Sequence, residues 1–293
     1  LPYGGAMDAS SEASYEQART DPWQGSVRAT LQAPRAWPSA IQELLSAETR
    51  LVAEIGYGSE RFSVARFSLD NESSGLGVVG AYSTASGTFD ASATLTLVDA
   101  LVAGTTSSGT IVFAANGTFE DFETNAEINL SKVEAGSVSM DALTGAVLAS
   151  GALDDLEVST ELTARAAGEE LNASAIARLA ADDITVPELQ VRSGANRIDG
   201  RAAWNLEAQR GDGALVLNLP ELDQIGRVVG QELRGTLTGD VVLASLQDDS
   251  TLDLDLSLEQ FGSAYATVEK AAIEGSVRRL FTEPTGVVEA RIE

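Results

Sequence analysis

Residues 251–258 read Thr-Leu-Asp-Leu-Asp-Leu-Ser-Leu, and this run constrains the chain more than any other. Leu252, Leu254, Leu256 and Leu258 fall on one side of an extended backbone; Asp253, Asp255 and Ser257 fall on the other. A period of two fits a β-strand with one apolar and one wetted face, whereas a helix would scatter the leucines around its circumference. The run closes a longer stretch, residues 184–258, in which such alternation recurs at least five times around one short amphipathic segment. Nothing in that stretch has the residue types of a catalytic site. What it offers is apolar surface, and its function depends on what that surface faces.

The alternation extends over most of the chain. It marks strands at 27–31, 51–55, 61–64, 67–69, 77–82 and 91–97, then at 110–115, 118–122 and 124–130. It continues through 135–148, 153–166, 171–179, 196–206 and 233–243, and on to 287–292. Two segments break it with helical spacing. Behind Pro38, Ile41, Leu44 and Leu45 share a face of residues 38–47; behind Pro220, Leu222, Ile225 and Val229 line one side of residues 220–229. Residues 99–103 read as one more helical turn, stopped by Gly104. Two or three short helices are therefore expected.

A spacing recurs among the strands. Phe62, Val64, Phe67 and Leu69 step by 2, 3 and 2, and so do Val138, Met140, Leu143 and Gly145. Ile184, Val186, Leu189 and Val191 repeat it, as do Ala266, Val268, Ala271 and Ile273. The step of three predicts a β-bulge or a strand bend that returns the next residue to the apolar face. The starts are unevenly spaced, which disfavours a propeller or a regular β-helix and fits a stack of hairpins in which each strand meets only its neighbours.

Composition narrows the function classes. The chain carries 44 acidic and 19 basic residues, a net charge of −25, which opposes nucleic acid and anionic membrane surfaces. It has no cysteine and no histidine, so disulfide frameworks, thiolate metal sites and any Ser-His-Asp or Cys-His arrangement are excluded. Gly75, Gly77 and Gly80 match a dinucleotide-binding spacing, but no helical sequence follows them as that mechanism requires. The acid pairs at 154–155, 182–183 and 248–249 lack the glycine-spaced frame of a calcium loop and read as turn aspartates. No cofactor and no metal site is expected, and catalysis is not.

Residues 184–258 carry a resemblance to a known family. Asn196, Arg197, Ile198, Asp199 and Gly200 form an N-R-I-x-G strand; Gly213, Ala214 and Leu215 a G-x-L strand; Pro220, Glu221 and Leu222 the opening of a P-x-L helix. Residues 233–243 then read L-x-G-x-L-x-G-x-V-x-L. This order resembles the repeat grammar of the TamB family, subunits of the translocation and assembly module within the AsmA-like superfamily. Residues 82–91, with Leu95 and Asp99, are similar as well.

The resemblance implies an all-β fold: an elongated, curled sheet, a β-taco or open half-barrel, of roughly 18–22 strands. It implies one repeat-like array over residues 1–293, with a possible subdivision into 1–104 and 105–293. The chain begins at Leu1 rather than methionine, and an interior or near-C-terminal segment of an inner-membrane-anchored protein is expected, located in the periplasm. Its partners would be phospholipid acyl chains and, through the longer protein, a TamA-like outer-membrane barrel; no nucleic acid is expected. The groove lining would comprise Ile184, Val186, Leu189, Val191, Ile198, Trp204, Leu206, Leu215, Leu217, Leu219, Leu237, Val241, Leu243, Leu252, Leu254, Leu256 and Leu258. The competing expectation is an exported structural or adhesive β-solenoid with a closed core and no ligand.

Overall fold

The computed structural model describes residues 7–10, 22–31, 48–102, 105–136, 138–208, 210–246, 249–279 and 284–293. Among them the chain is all-β, with 19 strands and one helix, and it packs as two units.

The first unit takes Leu1–Gly136 and Asp141–Leu153. Its strands are β1 (Met7–Ser10), β2 (Pro22–Leu31), β3 (Thr49–Gly58), β4 (Arg61–Asp70), β5 (Ser74–Ser83), β6 (Phe89–Val102), β7 (Thr105–Gly117), β8 (Phe122–Ala135) and β10 (Ala142–Ala152). Each pairs antiparallel with the next, and β8 pairs with β10. The second unit takes Ser137–Met140 and Asp154–Glu293. It contains β9 (Val138–Met140), β11 (Asp155–Ala166), β12 (Glu169–Ala180), β13 (Asp183–Ser193), β14 (Asn196–Asn205), β15 (Arg210–Leu219), α1 (Leu222–Val229), β16 (Leu233–Leu246), β17 (Asp249–Ser263), β18 (Thr267–Arg278) and β19 (Thr285–Ile292). From β11 to β19 every strand again pairs antiparallel with its successor. Each unit is thus an open meander, and short hairpin turns make most of the described connections. Ser59 and Glu60, with φ of 51° and 60°, make one such two-residue turn, and Ala167 and Gly168 another.

Two of the four odd steps are bulges where the sequence predicts them. The pairing of β4 with β5 shifts between Val64 and Phe67, and that of β13 with β14 between Val186 and Leu189. Both shifts keep the apolar residues on one face. The other two steps are corrections. Val138 and Met140 lie in β9 of the second unit, while Leu143 and Gly145 lie in β10 of the first, so that step is a passage between strands. β18 pairs with β17 and β19 without any shift.

Three local expectations are also corrected. Residues 99–102 are strand rather than helix: Asp99 adopts φ 46° at a bulge in β6, where its N–H donates to Ser108 Oγ at 2.8 Å and Ser108 Oγ donates to its carboxylate at 3.1 Å. A short polar side chain tolerates this left-handed conformation, so a local helical pattern yields to a bulge. Residues 118–121 are the β7–β8 turn, closed by Thr118 N–H donating to Asp121 O at 2.8 Å. Leu206 falls in the turn after β14 and donates its N–H to Asp182 O at 2.7 Å. Gly75, Gly77 and Gly80 lie within β5, not in a strand-to-helix turn. Of the helices read from the sequence, 220–229 corresponds to α1, and 38–47 lies outside the described residues.

α1 packs on the second sheet. The eight-residue helix is about 12 Å long. It packs on β16 and also reaches β12 and β9. In a flat sheet β12 and β16 would lie about 19 Å apart, at four strand spacings. The helix therefore lies across the strands between β12 and β16. Gly230, at φ 69°, ends the helix, and Gln231 N–H returns to Gly226 O at 2.8 Å. Asn196 holds the start: its Oδ1 accepts from Glu221 N–H, and its Nδ2 donates to Glu221 O, both at 3.0 Å. Asn196 is 2% exposed, so this reciprocal pair also satisfies a buried amide.

Candidate functional site

The registers place the apolar residues of the second unit in continuous rows. Val191, Ile198, Leu217, Gly239, Leu256, Ile273 and Ala290 are successive cross-strand partners. A parallel row runs Leu189, Gly200, Leu215, Val241, Leu254, Gly275 and Val288. A third contains Val186, Ala202, Gly213, Leu243, Leu252 and Val277, and a fourth Leu219, Leu237, Leu258, Ala271 and Ile292. Ile184 pairs with Trp204 at one end of this face. Every residue expected in the groove lining, Leu206 excepted, thus shares one face. Leu206 is half exposed in its turn.

This face is not sealed beneath a second layer. Among the expected lining residues only Leu219 is buried; Trp204 is 36% exposed, and the other strand residues are half-buried. Across the described residues ten hydrophobic side chains are buried, five of them alanines. A packed sandwich would bury the inward residues of nearly every strand. Gly200, Gly213, Gly239 and Gly275 lower the floor of the face. At Gly211 a Cβ would sit 2.1 Å from Trp204 Cε3, so the indole lies over bare backbone.

α1 covers one end of the face. Leu219, Leu222, Ser193 and Ala166 are all buried there. Arg227 links the helix to the far side through Glu169. The Arg227 guanidinium is held above its ordinary pKa first by hydrogen bonding to Glu169, then by that to Asp223. Asp223 is correspondingly lowered by the hydrogen bond from Arg227.

The opposite face is acidic. Asp240, Asp255, Glu274 and Glu289 are successive partners on β16 to β19. Like charges directly opposite are unfavourable in a sheet, so this face is one that stays in water. The expected turn aspartates have ordinary roles: Asp155 accepts from Arg178 Nε at 3.0 Å, and Asp183 accepts from Asn205 Nδ2 at 2.7 Å. Among the described residues no group of three or more carboxylates is placed to hold a metal. The pair 248–249 is not described in full. Each unit has a hollow on its reverse side at its bulge, one of about 610 Å³ by Ser63, Ala65 and Val79 in the first, the other of about 440 Å³ by Pro187, Arg201 and Asp212 in the second.

The first unit has an apolar face of the same kind, which no expected site residue covered. At one end of its strands Trp23, Tyr57, Phe62, Tyr82 and Phe89 are successive partners, and Phe122 continues the row beyond Gly117. Phe119 joins from the β7–β8 turn, with its ring 5.9 Å from that of Tyr82 and 5.5 Å from that of Phe89. The available signal was that these aromatics each sit beside a turn; their alignment follows only from register.

These features define a class: open, one-layer antiparallel sheets with an accessible apolar face and an acidic reverse. No family model matches the chain, and neither a curated protein nor a solved structure matches it. No helix among the described residues is long and apolar enough to cross a membrane.

Proposed function

We propose that this chain is a non-enzymatic carrier segment of a periplasmic, envelope-spanning protein of TamB type, whose apolar face holds phospholipid acyl chains. The observation that supports this most is the set of unbroken apolar rows across β13 to β19, half-buried on most strands, exposed on β19 and without a second layer. An uncovered apolar face of this extent costs free energy in water, and each CH₂ of an acyl chain laid on it recovers about 0.8 kcal/mol. No directional contact is needed, so chains can slide. The repeat grammar of residues 184–258 supports the TamB-type reading. In that setting the segment serves lipid transport or the assembly of outer-membrane proteins with a TamA-like barrel.

Mass spectrometry of an organic extract from the purified chain tests this, with native mass giving stoichiometry. The proposal expects co-purified phospholipid, lost on Leu254→Glu or Leu217→Glu. Lipid-free protein with the same fold would favour the structural β-solenoid instead.

A further inference from the structure

The aromatic row of the first unit calls for an explanation of its own. A carrier needs apolar surface, which leucine and valine supply; it does not need aromatics aligned at one end. Trp23, Tyr57 and Phe62 are 40%, 45% and 37% exposed, and Phe119 is 60% exposed. Tyrosine and tryptophan combine an apolar body with a polar tip, and they concentrate where a medium changes from apolar to wet. The row stands at such a change, between the apolar face and the turns.

The charges around it are one-sided. Glu60 lies in the β3–β4 turn, and Glu120 and Asp121 follow Phe119 in the β7–β8 turn. Arg61 is the one basic side chain among the described residues of these turns and their flanks. Carboxylates repel a headgroup with net negative charge, while a cation is attracted both by them and by the faces of the rings.

We propose that this end of the first unit receives the headgroup of a phospholipid that carries a positively charged amine, and that it disfavours purely anionic phospholipids. The inference rests on the carrier reading and adds a selectivity to it. The acyl chains lie on the apolar face, the glycerol region meets the aromatic row, and the ammonium reaches the acidic turns.

The test incubates the 293-residue chain with vesicles of dioleoyl phosphatidylethanolamine and dioleoyl phosphatidylglycerol in equal amounts, and counts bound lipid by class. Enrichment of the ethanolamine lipid by about threefold or more is expected. Glu60→Lys with Glu120→Lys, both in exposed turns, brings the ratio to one or below. Tyr57→Ala with Phe119→Ala lowers the ratio as well. Equal uptake of both classes by the unaltered protein, or a preference untouched by these replacements, overturns the headgroup assignment and leaves the carrier reading standing. Uptake of neither lipid overturns both.

Discussion

Arg227 of α1 donates to the carboxylate of Glu169, the first residue of β12, through Nε at 2.9 Å and Nη2 at 2.6 Å. The two residues are 58 apart in sequence. Nη1 of the same guanidinium donates to Asp223, one helical turn back, at 2.8 Å. One side chain therefore ties the helix to itself and to the far side of the sheet.

Glu169→Gln is expected to loosen this tie without unfolding the unit. Arg227 is 47% exposed at its side chain, so solvent screens the pair and its effect on global stability is small. Hydrogen exchange should separate the two scales. Amides of residues 222–229 exchange faster in the variant, while those of β14 to β17 do not change.

Acid should act on the same place. The hydrogen bond from Arg227 lowers the pKa of Asp223 against a smaller opposing loss of hydration, and Arg197 does the same for Asp199. A carboxylate lowered in the folded state contributes stability that is complete above its unfolded pKa and lost as pH falls through the folded one. The contribution of these two groups to thermal stability is thus expected to be full and independent of pH near neutrality and to be lost below about pH 4. Asp223→Asn and Asp199→Asn should each flatten part of that acid limb in a melting series from pH 7 to pH 2.5.

Two glycines give steric tests. A Cβ at Gly226 would lie 2.5 Å from Gln231 O, and one at Gly211 would lie 2.1 Å from Trp204 Cε3. Gly226→Ala must lift the end of α1, and Gly211→Ala must displace the indole. Each should cost about 1–3 kcal/mol in denaturant unfolding. Only Gly211→Ala should also change the tryptophan emission, and Trp204→Phe should abolish that change.

Much of this fold is legible in the sequence because the strand period is short and one face of each strand is apolar. The leucines at 252–258 define β17 without outside help, and the odd step between Val64 and Phe67 marks a bulge. Asp99 is misread because four following residues suit a helical turn, whereas the bulge depends on Ser108 across the strand pair. The apolar composition of the groove-lining set could be read, but its rows could not, since alternation assigns a face and not a register. The aromatic row escapes for the same reason. The reach of Arg227 to Glu169 escapes because it depends on how the helix lies across the strands.

The acidic reverse face offers a control on surface charge. Asp255 stands between Asp240 and Glu274 in direct cross-strand register. Asp255→Lys should raise the melting midpoint at low salt, because it replaces two repulsions by attractions. The gain should shrink at about 1 M salt, where charges are screened within about 3 Å. Lipid retention should not change.

The central claim is that acyl chains occupy one face of the sheet and not the other. Leu254 and Asp255 are neighbours in β17 whose side chains point to opposite faces. A photo-reactive residue placed at either position in cells that make the protein reads the two faces separately. The account predicts phospholipid adducts from position 254 and none from position 255. Equal labelling at both, or adducts at 255 alone, would contradict it.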